Sequence, residues 1–93
     1  MILNDFKIVN QEGFNEDMKK EVISIAQKAL ELFDNEKEMS QYIKRELDIK
    51  FDGKWCAAVG LSILSIAPLH SINSFIYFWI GKYRFLIFLI KSE

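Results

Sequence analysis

Thiols and imidazoles are nearly missing from this chain of 93 residues, which holds one cysteine, Cys56, and one histidine, His70. A single thiol closes no internal disulfide and suits a reducing compartment. Its ordinary role is that of a small buried apolar residue. One histidine and one cysteine also leave no ligand set for zinc, because the carboxylates read as belonging to solvated helix faces. The glycines are few and isolated, at positions 13, 53, 60 and 81. They form no loop that could cradle phosphate, and no cofactor is expected. Ser62, Ser65, Ser71 and Ser74 lie in an apolar half with no base beside them. His70, just after Pro68-Leu69, has the chemistry of a proton-linked switch, set against the more ordinary reading of a hydrogen-bonded loop histidine. No constellation for catalysis remains, and the chain reads as a non-enzyme.

An excess of charge of either sign is missing too: the formal net charge is −1. Nucleic-acid binding calls for a basic domain, so it is not expected. The opening MILNDFKIVN lacks a basic segment followed by an apolar run, which argues against a signal peptide and for the cytosol. A true membrane-length run is missing as well. The most apolar stretch, FIYFWIGKYRFLIFLI at 75–90, is interrupted by Gly81, Lys82 and Arg84. A spanning helix needs about 20 apolar residues, and a charge at its centre costs about 2.5 to 3.5 kcal/mol. Ile, Phe, Tyr and Trp dominate the stretch, with no Ala, which is a strand composition. The reading is strand, turn at Ile80–Lys82, strand, and no membrane.

What the chain does have is a sharp division. Residues 1–54 carry nine Lys/Arg and twelve Asp/Glu, whereas residues 55–93 carry three and one. The first half opens with a strand signal at 2–9, Phe6 and Ile8 sharing one face and Lys7 and Val9 the other. Asn15 then caps a helix with Glu16 and Asp17 in its first turn, where the helix dipole favours carboxylates. Met18, Val22, Ile25, Ala29 and Leu32 recur at spacings of three and four, with Ile23, Ala26, Leu30 and Phe33 alongside, so the helix runs to about Phe33. A second helix starts at Asp34 or Asn35, buries Met39, Ile43 and Leu47, turns Lys44 and Arg45 to water and fades near 48–51. Its charge run, EKEMSQYIKRELDIK, reads as a solvated helix face. Asp52-Gly53 marks a turn.

From Lys54 the pattern changes. WCAAVGLSILSIA reads as strand buried on both faces, with Gly60 marking a bulge or bend, and Pro68 must lie at an edge, a strand end or a loop. FIYFW and YRFLIFLI follow. The fold class is therefore α+β: two N-terminal helices packed on an antiparallel sheet, in one domain over 1–93. Two helices cover only one face of such a sheet. The apolar second face predicts a partner packed sheet to sheet, another copy or a close relative.

The stretch EDMKKEVISIAQKALELFDNEKEMSQYIKRELDIKFDGKW at 16–55 is specific: an ALE, an NEK junction, an IK-R-E step and the tryptophan that opens the sheet. With VG at 59–60, FIYFWIG at 75–81 and KS at 91–92, it resembles the dynein light chain type 1 family over nearly the whole chain. The resemblance implies a strand-exchanged dimer with two grooves, each taking an extended peptide as an added strand. The main chain then supplies affinity and side-chain pockets supply selectivity. Two bound peptides give avidity, so the dimer holds disordered chains side by side, in dynein the intermediate-chain tails.

Carried over position by position, the resemblance places Asn10, Phe75 and Tyr77 in the groove. Glu36 and Lys37 match the start of the helix that reads the peptide's central glutamine. Gly60, Ile63, Ser65 and Ile66 belong to the groove strand. Cys56, Leu64, Ala67 and His70 fall at the dimer interface. Cys56 stands where the family has an interface histidine, a change that removes a pH-sensitive switch of the dimer. Ser92 matches a near-terminal serine that is ordinarily just solvated.

The departures are concentrated in one segment. After VG the family is polar, reading Arg-Asn-Phe-Gly-Ser-Tyr-Val-Thr-His, whereas this chain has LSILSIAPLH at 61–70. The threonine-like position becomes Pro68, and matching His70 to the family histidine takes one inserted residue. The last strand is also about two residues longer. These changes imply a divergent member that pairs with another light chain of the family inside a large dynein, an axonemal one in cilia or flagella. The alternatives are a free-standing peptide-binding hub outside dynein and a small membrane-associated protein.

Overall fold

The computed structural model describes residues 6–61 and 72–90. In chain order the elements are β1 (Lys7–Glu12), α1 (Glu16–Leu32), α2 (Glu36–Lys50), β2 (Lys54–Gly60), β3 (Ile72–Ile80) and β4 (Tyr83–Ile90). The strands form one antiparallel sheet in the order β1-β3-β4-β2, so β1 and β2 are its edges among the described residues.

Both helices begin where the sequence puts a cap. The Asn15 side chain accepts from the Met18 N–H at 2.8 Å, and Asn35 accepts from the Glu38 N–H at 2.9 Å. Each satisfies a backbone donor that the first turn of a helix leaves unpaired. Glu16 reinforces the start of α1: Lys19, 2.8 Å away, holds its carboxyl below the usual carboxylate range. The helices end at Phe33 and Phe51, whose backbones are extended and whose N–H groups bond back to Ala29 and Leu47.

The buried stripes are Val22, Ile25, Ala26 and Ala29 on α1 and Met39, Ile43 and Leu47 on α2. They meet Trp55, Ile76, Phe78, Ile80, Phe85 and Ile87 of the sheet in one apolar core. The largest of these side chains are fully buried, and each contributes about 1.5 to 3 kcal/mol by leaving water. Phe78 and Phe85 are cross-strand partners whose rings stack 5.1 Å apart, only 7° from parallel.

Several expectations need correction. The first strand is Lys7–Glu12 rather than 2–9, and positions 2–5 lie outside the described residues. A register shift between Ile8 and Asn10 lets polar Asn10, Gln11 and Glu12 continue the pairing with β3. Gly60 makes no bulge: β2 pairs with β4 in unbroken register from Lys54 to Gly60, and the bend follows at Leu61. The second irregularity of the sheet falls between Ile72 and Ser74. β2 is not buried on both faces, because Cys56 and Ala58 are only half-buried. Ile80 belongs to β3 and pairs with Tyr83, leaving Gly81-Lys82 as the turn. Leu32, expected on the apolar stripe, is 51% exposed, and Phe33 packs against the core in its place.

Candidate functional site

Side chains alternate across a strand, so the core residues of each strand fix what lies on its other face. Phe78, Ile80, Phe85 and Ile87 face the helices. Phe75, Tyr77, Trp79, Arg84, Leu86 and Phe88 therefore share the face turned away from them. Cross-strand pairing arranges this face in rows: Glu12, Phe75, Phe88 and Cys56; Asn10, Tyr77, Leu86 and Ala58; Lys7, Trp79, Arg84 and Gly60. Leu86 in the middle row is buried yet outside the helix-facing core. Its neighbours on β2 and β3 are half-buried. Among the described residues, no helix or strand packs on this apolar face.

The structure divides the expected groove residues into two groups. Asn10 and Tyr77 are direct cross-strand partners, and Phe75 pairs with Glu12 one row away, so these three lie together on the β1 side. Gly60 ends β2 at the opposite edge. Glu36 and Lys37 open α2, which packs along β2 and joins it through the short bend at 51–53. That antiparallel arrangement sets the start of α2 toward the Gly60 end of the edge strand. The two groups thus sit at opposite margins of one chain. Cys56 lies on the open face opposite Phe88. Ile63, Leu64, Ser65, Ile66, Ala67 and His70, as well as Ser92, lie outside the described residues.

Local chemistry at these positions is modest. The Asn10 side-chain oxygen accepts from the Gln11 N–H at 2.9 Å. The Lys37 carbonyl accepts from the Ser40 hydroxyl at 2.9 Å. Among the described residues, no helix is long and apolar enough to cross a membrane, and 75–90 form β3 and β4.

One constellation escaped the reading of the sequence. Trp79 on β3 has Arg84 of β4 and Lys7 of β1 as its two cross-strand neighbours. The Arg84 guanidinium lies 4.0 Å from the indole centroid and the Lys7 ammonium 5.4 Å. Both the Trp79 Nε1 and the Arg84 Nε are buried without an acceptor. The signal was present in the letters: a turn at Gly81-Lys82 pairs residue 80 with 83 and therefore 79 with 84.

Comparison with known proteins agrees with this architecture. The sequence model of the family described as dynein light chain type 1 matches residues 7–90. The chain belongs to the dynein light chain type 1 family. It is 38% identical over 80 residues to the dynein light chain, cytoplasmic, of Emericella nidulans, covering 86% of this chain and 84% of that one. It is 30% identical over 81 residues to dynein light chain 1, cytoplasmic, of Saccharomyces cerevisiae, covering 87% of each. Among solved structures, the dynein light chain-like domain of the Fasciola hepatica calcium binding protein FhCaBP2 superposes with a TM-score of 0.77 at 18% identity, covering 99% of this chain and 96% of that one. The DLC-like domain of CsTAL3 gives 0.68 at 19% identity, covering 96% of each chain. At these identities the structural likeness speaks to the fold: two helices on a four-stranded antiparallel sheet.

Proposed function

We infer that this light chain is a single-domain, non-catalytic subunit of a dynein motor complex, working as a strand-exchanged dimer that holds intermediate-chain tails by strand addition. The observation that carries this reading is the sheet itself. Its edge strand β2 pairs on one side only among the described residues, and its second face is apolar with no described element upon it. An unpaired edge accepts another strand through main-chain hydrogen bonds, and an apolar face is a surface for a second sheet. The expected groove residues at opposite margins fit a groove whose walls come from two chains. The names of the relatives, both cytoplasmic dynein light chains, support a cytoplasmic and cytoskeletal setting.

The partner in the dimer is another light chain of the family, and the motor is an axonemal one. What supports this finer reading is the segment 61–70, apolar and carrying Pro68 where the family pattern is polar. Proline removes a main-chain donor from a strand meant to pair on both sides. This chain on its own is therefore a poor receiver of short peptides.

Native mass spectrometry of the motor purified from cilia tests the assembly. The expected species is one copy of this chain with one copy of a different light chain; homodimers alone would overturn it. Calorimetry with an intermediate-chain tail peptide tests the groove. The isolated chain is expected to bind weakly and the heterodimer to bind through one groove. Ordinary micromolar affinity of the isolated chain would contradict the altered-groove reading.

A further inference from the structure

We propose that the row Lys7, Trp79 and Arg84 is the acid-reading end of the groove: the extended peptide held there carries an Asp or Glu over this row. The inference rests on the strand-addition reading and names the chemistry of the peptide that the site takes.

The place of the row follows from strand pairing. Trp79 is the next residue after Tyr77 on the same face of β3, and its cross-strand neighbours are Arg84 and Lys7. The row therefore extends the surface of Asn10, Phe75 and Tyr77 by one step, about 6.6 Å along the strands. Packed sheets keep their strands within about 30° of each other, so a strand added to a facing sheet crosses these rows in order. It turns every second side chain the same way, again about 6.6 Å apart. A peptide with one side chain over Asn10 and Tyr77 thus brings another, two positions on, to Trp79 and Arg84.

The chemistry of the row is one-sided. An indole nitrogen, a guanidinium and an ammonium donate hydrogen bonds and accept none. Trp79 Nε1 and Arg84 Nε are buried without an acceptor. The indole face, 4.0 Å from the Arg84 guanidinium, holds that fork in place. Its contact to the Gly81 carbonyl is 3.5 Å long, near the limit of a hydrogen bond. Lys7 is exposed beside the same ring. The ion pairs among the described residues join Lys19 to Glu16, Lys44 to Asp48 and Lys50 to Glu21, and none reaches Lys7 or Arg84. Glu12 shares the open face but lies five residues along β1 from Lys7, about 15 Å away. The chain therefore does not answer its own row. A carboxylate seated side-on against Arg84, with Lys7 at hand, meets the unmet donor and both charges. An asparagine of the same shape offers one acceptor and no charge, so the row separates the two.

Fluorescence anisotropy on the full chain purified with its companion light chain tests this. The probes are one labelled intermediate-chain tail peptide and its single-residue Asp and Asn variants. At one position Asp is expected to bind about tenfold tighter than Asn, and the gain to fall as salt rises. The gain is expected to vanish in Arg84→Gln and to shrink in Lys7→Gln. The Asn peptide is expected to bind both variants as it binds the parent, which shows them folded. Where Arg84→Gln binds neither peptide, Lys7→Gln, at an exposed position, decides alone. The proposal is overturned if no position prefers Asp, or if the preference survives the substitutions unchanged. It is overturned too if the preference emerges only in Glu12→Gln, because Glu12 of a second copy then holds the row. Failure of every peptide of the set to bind defeats the strand-addition reading itself, and this inference with it.

Discussion

Gly13 and Ser74 meet across sixty-one residues of sequence: the Ser74 hydroxyl and Cβ fill the space into which a side chain at position 13 would project. Gly13 lies at φ +86°, in the left-handed region, as the chain leaves β1 for α1. Ser74 is buried beside the register shift in β3. Gly13→Ala thus adds a backbone penalty of about 1 to 2 kcal/mol and an overpacking penalty of about 1 to 3. Urea denaturation is expected to show a loss of about 2 to 4 kcal/mol. The double variant Gly13→Ala, Ser74→Gly should recover part of it by removing the clash. Gly81, at φ +59° with open space where a Cβ would go, is the control: Gly81→Asn is expected to lose less than about 1 kcal/mol. Equal losses at the two glycines would contradict the packing argument.

Asn35 does more than accept the Glu38 N–H, because its side-chain amide also donates to the Glu38 carboxylate at 3.0 Å. Asn35→Ala removes both bonds and is expected to cost about 1 kcal/mol, within a range of about 0.5 to 2. Asn35→Asp keeps the acceptor but sets a second negative charge beside Glu38, and should fall between the two. Thermal melts of the three proteins check the order. Asn35→Ala melting at the same temperature as the parent would show that the cap contributes nothing.

The ion pair between Lys50 of α2 and Glu21 of α1 spans 3.2 Å with both side chains about two-fifths exposed. Such pairs contribute about 0 to 1 kcal/mol and are screened by salt. Lys50→Ala is expected to change stability by less than about 0.5 kcal/mol, against a loss of about 2 to 5 kcal/mol for Ile43→Ala in the core. Denaturant titrations at low and high salt check this. A large, salt-independent loss at Lys50 would mean that its stem packs on the core rather than pairing in water.

Local patterning made the helices readable. Asn15, Asn35 and the spacing of Val22, Ile25, Ala29, Met39, Ile43 and Leu47 act within a few residues of chain, so sequence alone located caps and buried faces. β1 was less readable because its extent depends on a strand more than sixty residues away. Asn10, Gln11 and Glu12 have poor strand propensity and extend β1 only because β3 supplies partners beyond the shift at Ile8/Asn10. Gly60 looked like a bulge because glycine weakens strands, yet pairing with Arg84 holds it in regular register. The corner at Trp79 was hidden for a related reason. As letters, Lys82 and Arg84 only interrupt an apolar run, while the chemistry of Arg84 comes from its cross-strand neighbour Trp79. The expected groove and interface positions at 63–67 and His70 rest on the resemblance alone, since apolar letters around Pro68 carry no periodicity of their own, and they lie outside the described residues.

Trp55 gives the sharpest test of the core. It is 1% exposed, meets Phe14 edge-on at 5.8 Å and Phe51 at 5.9 Å, and its indole nitrogen is buried without an acceptor. An indole with no hydrogen bond contributes through size and ring contacts, less the penalty of its unmet donor. Trp55→Phe keeps an aromatic ring between Phe14 and Phe51 and removes that donor. Trp55→Ala opens a cavity beneath the start of β2. Alanine is expected to cost about 3 to 5 kcal/mol and phenylalanine less than about 2. Denaturant unfolding, followed by the remaining Trp79 fluorescence and by circular dichroism, measures both. If phenylalanine proved as damaging as alanine, the nitrogen would have to be bonded in solution, and the reading of Trp55 as a pure packing element would fail.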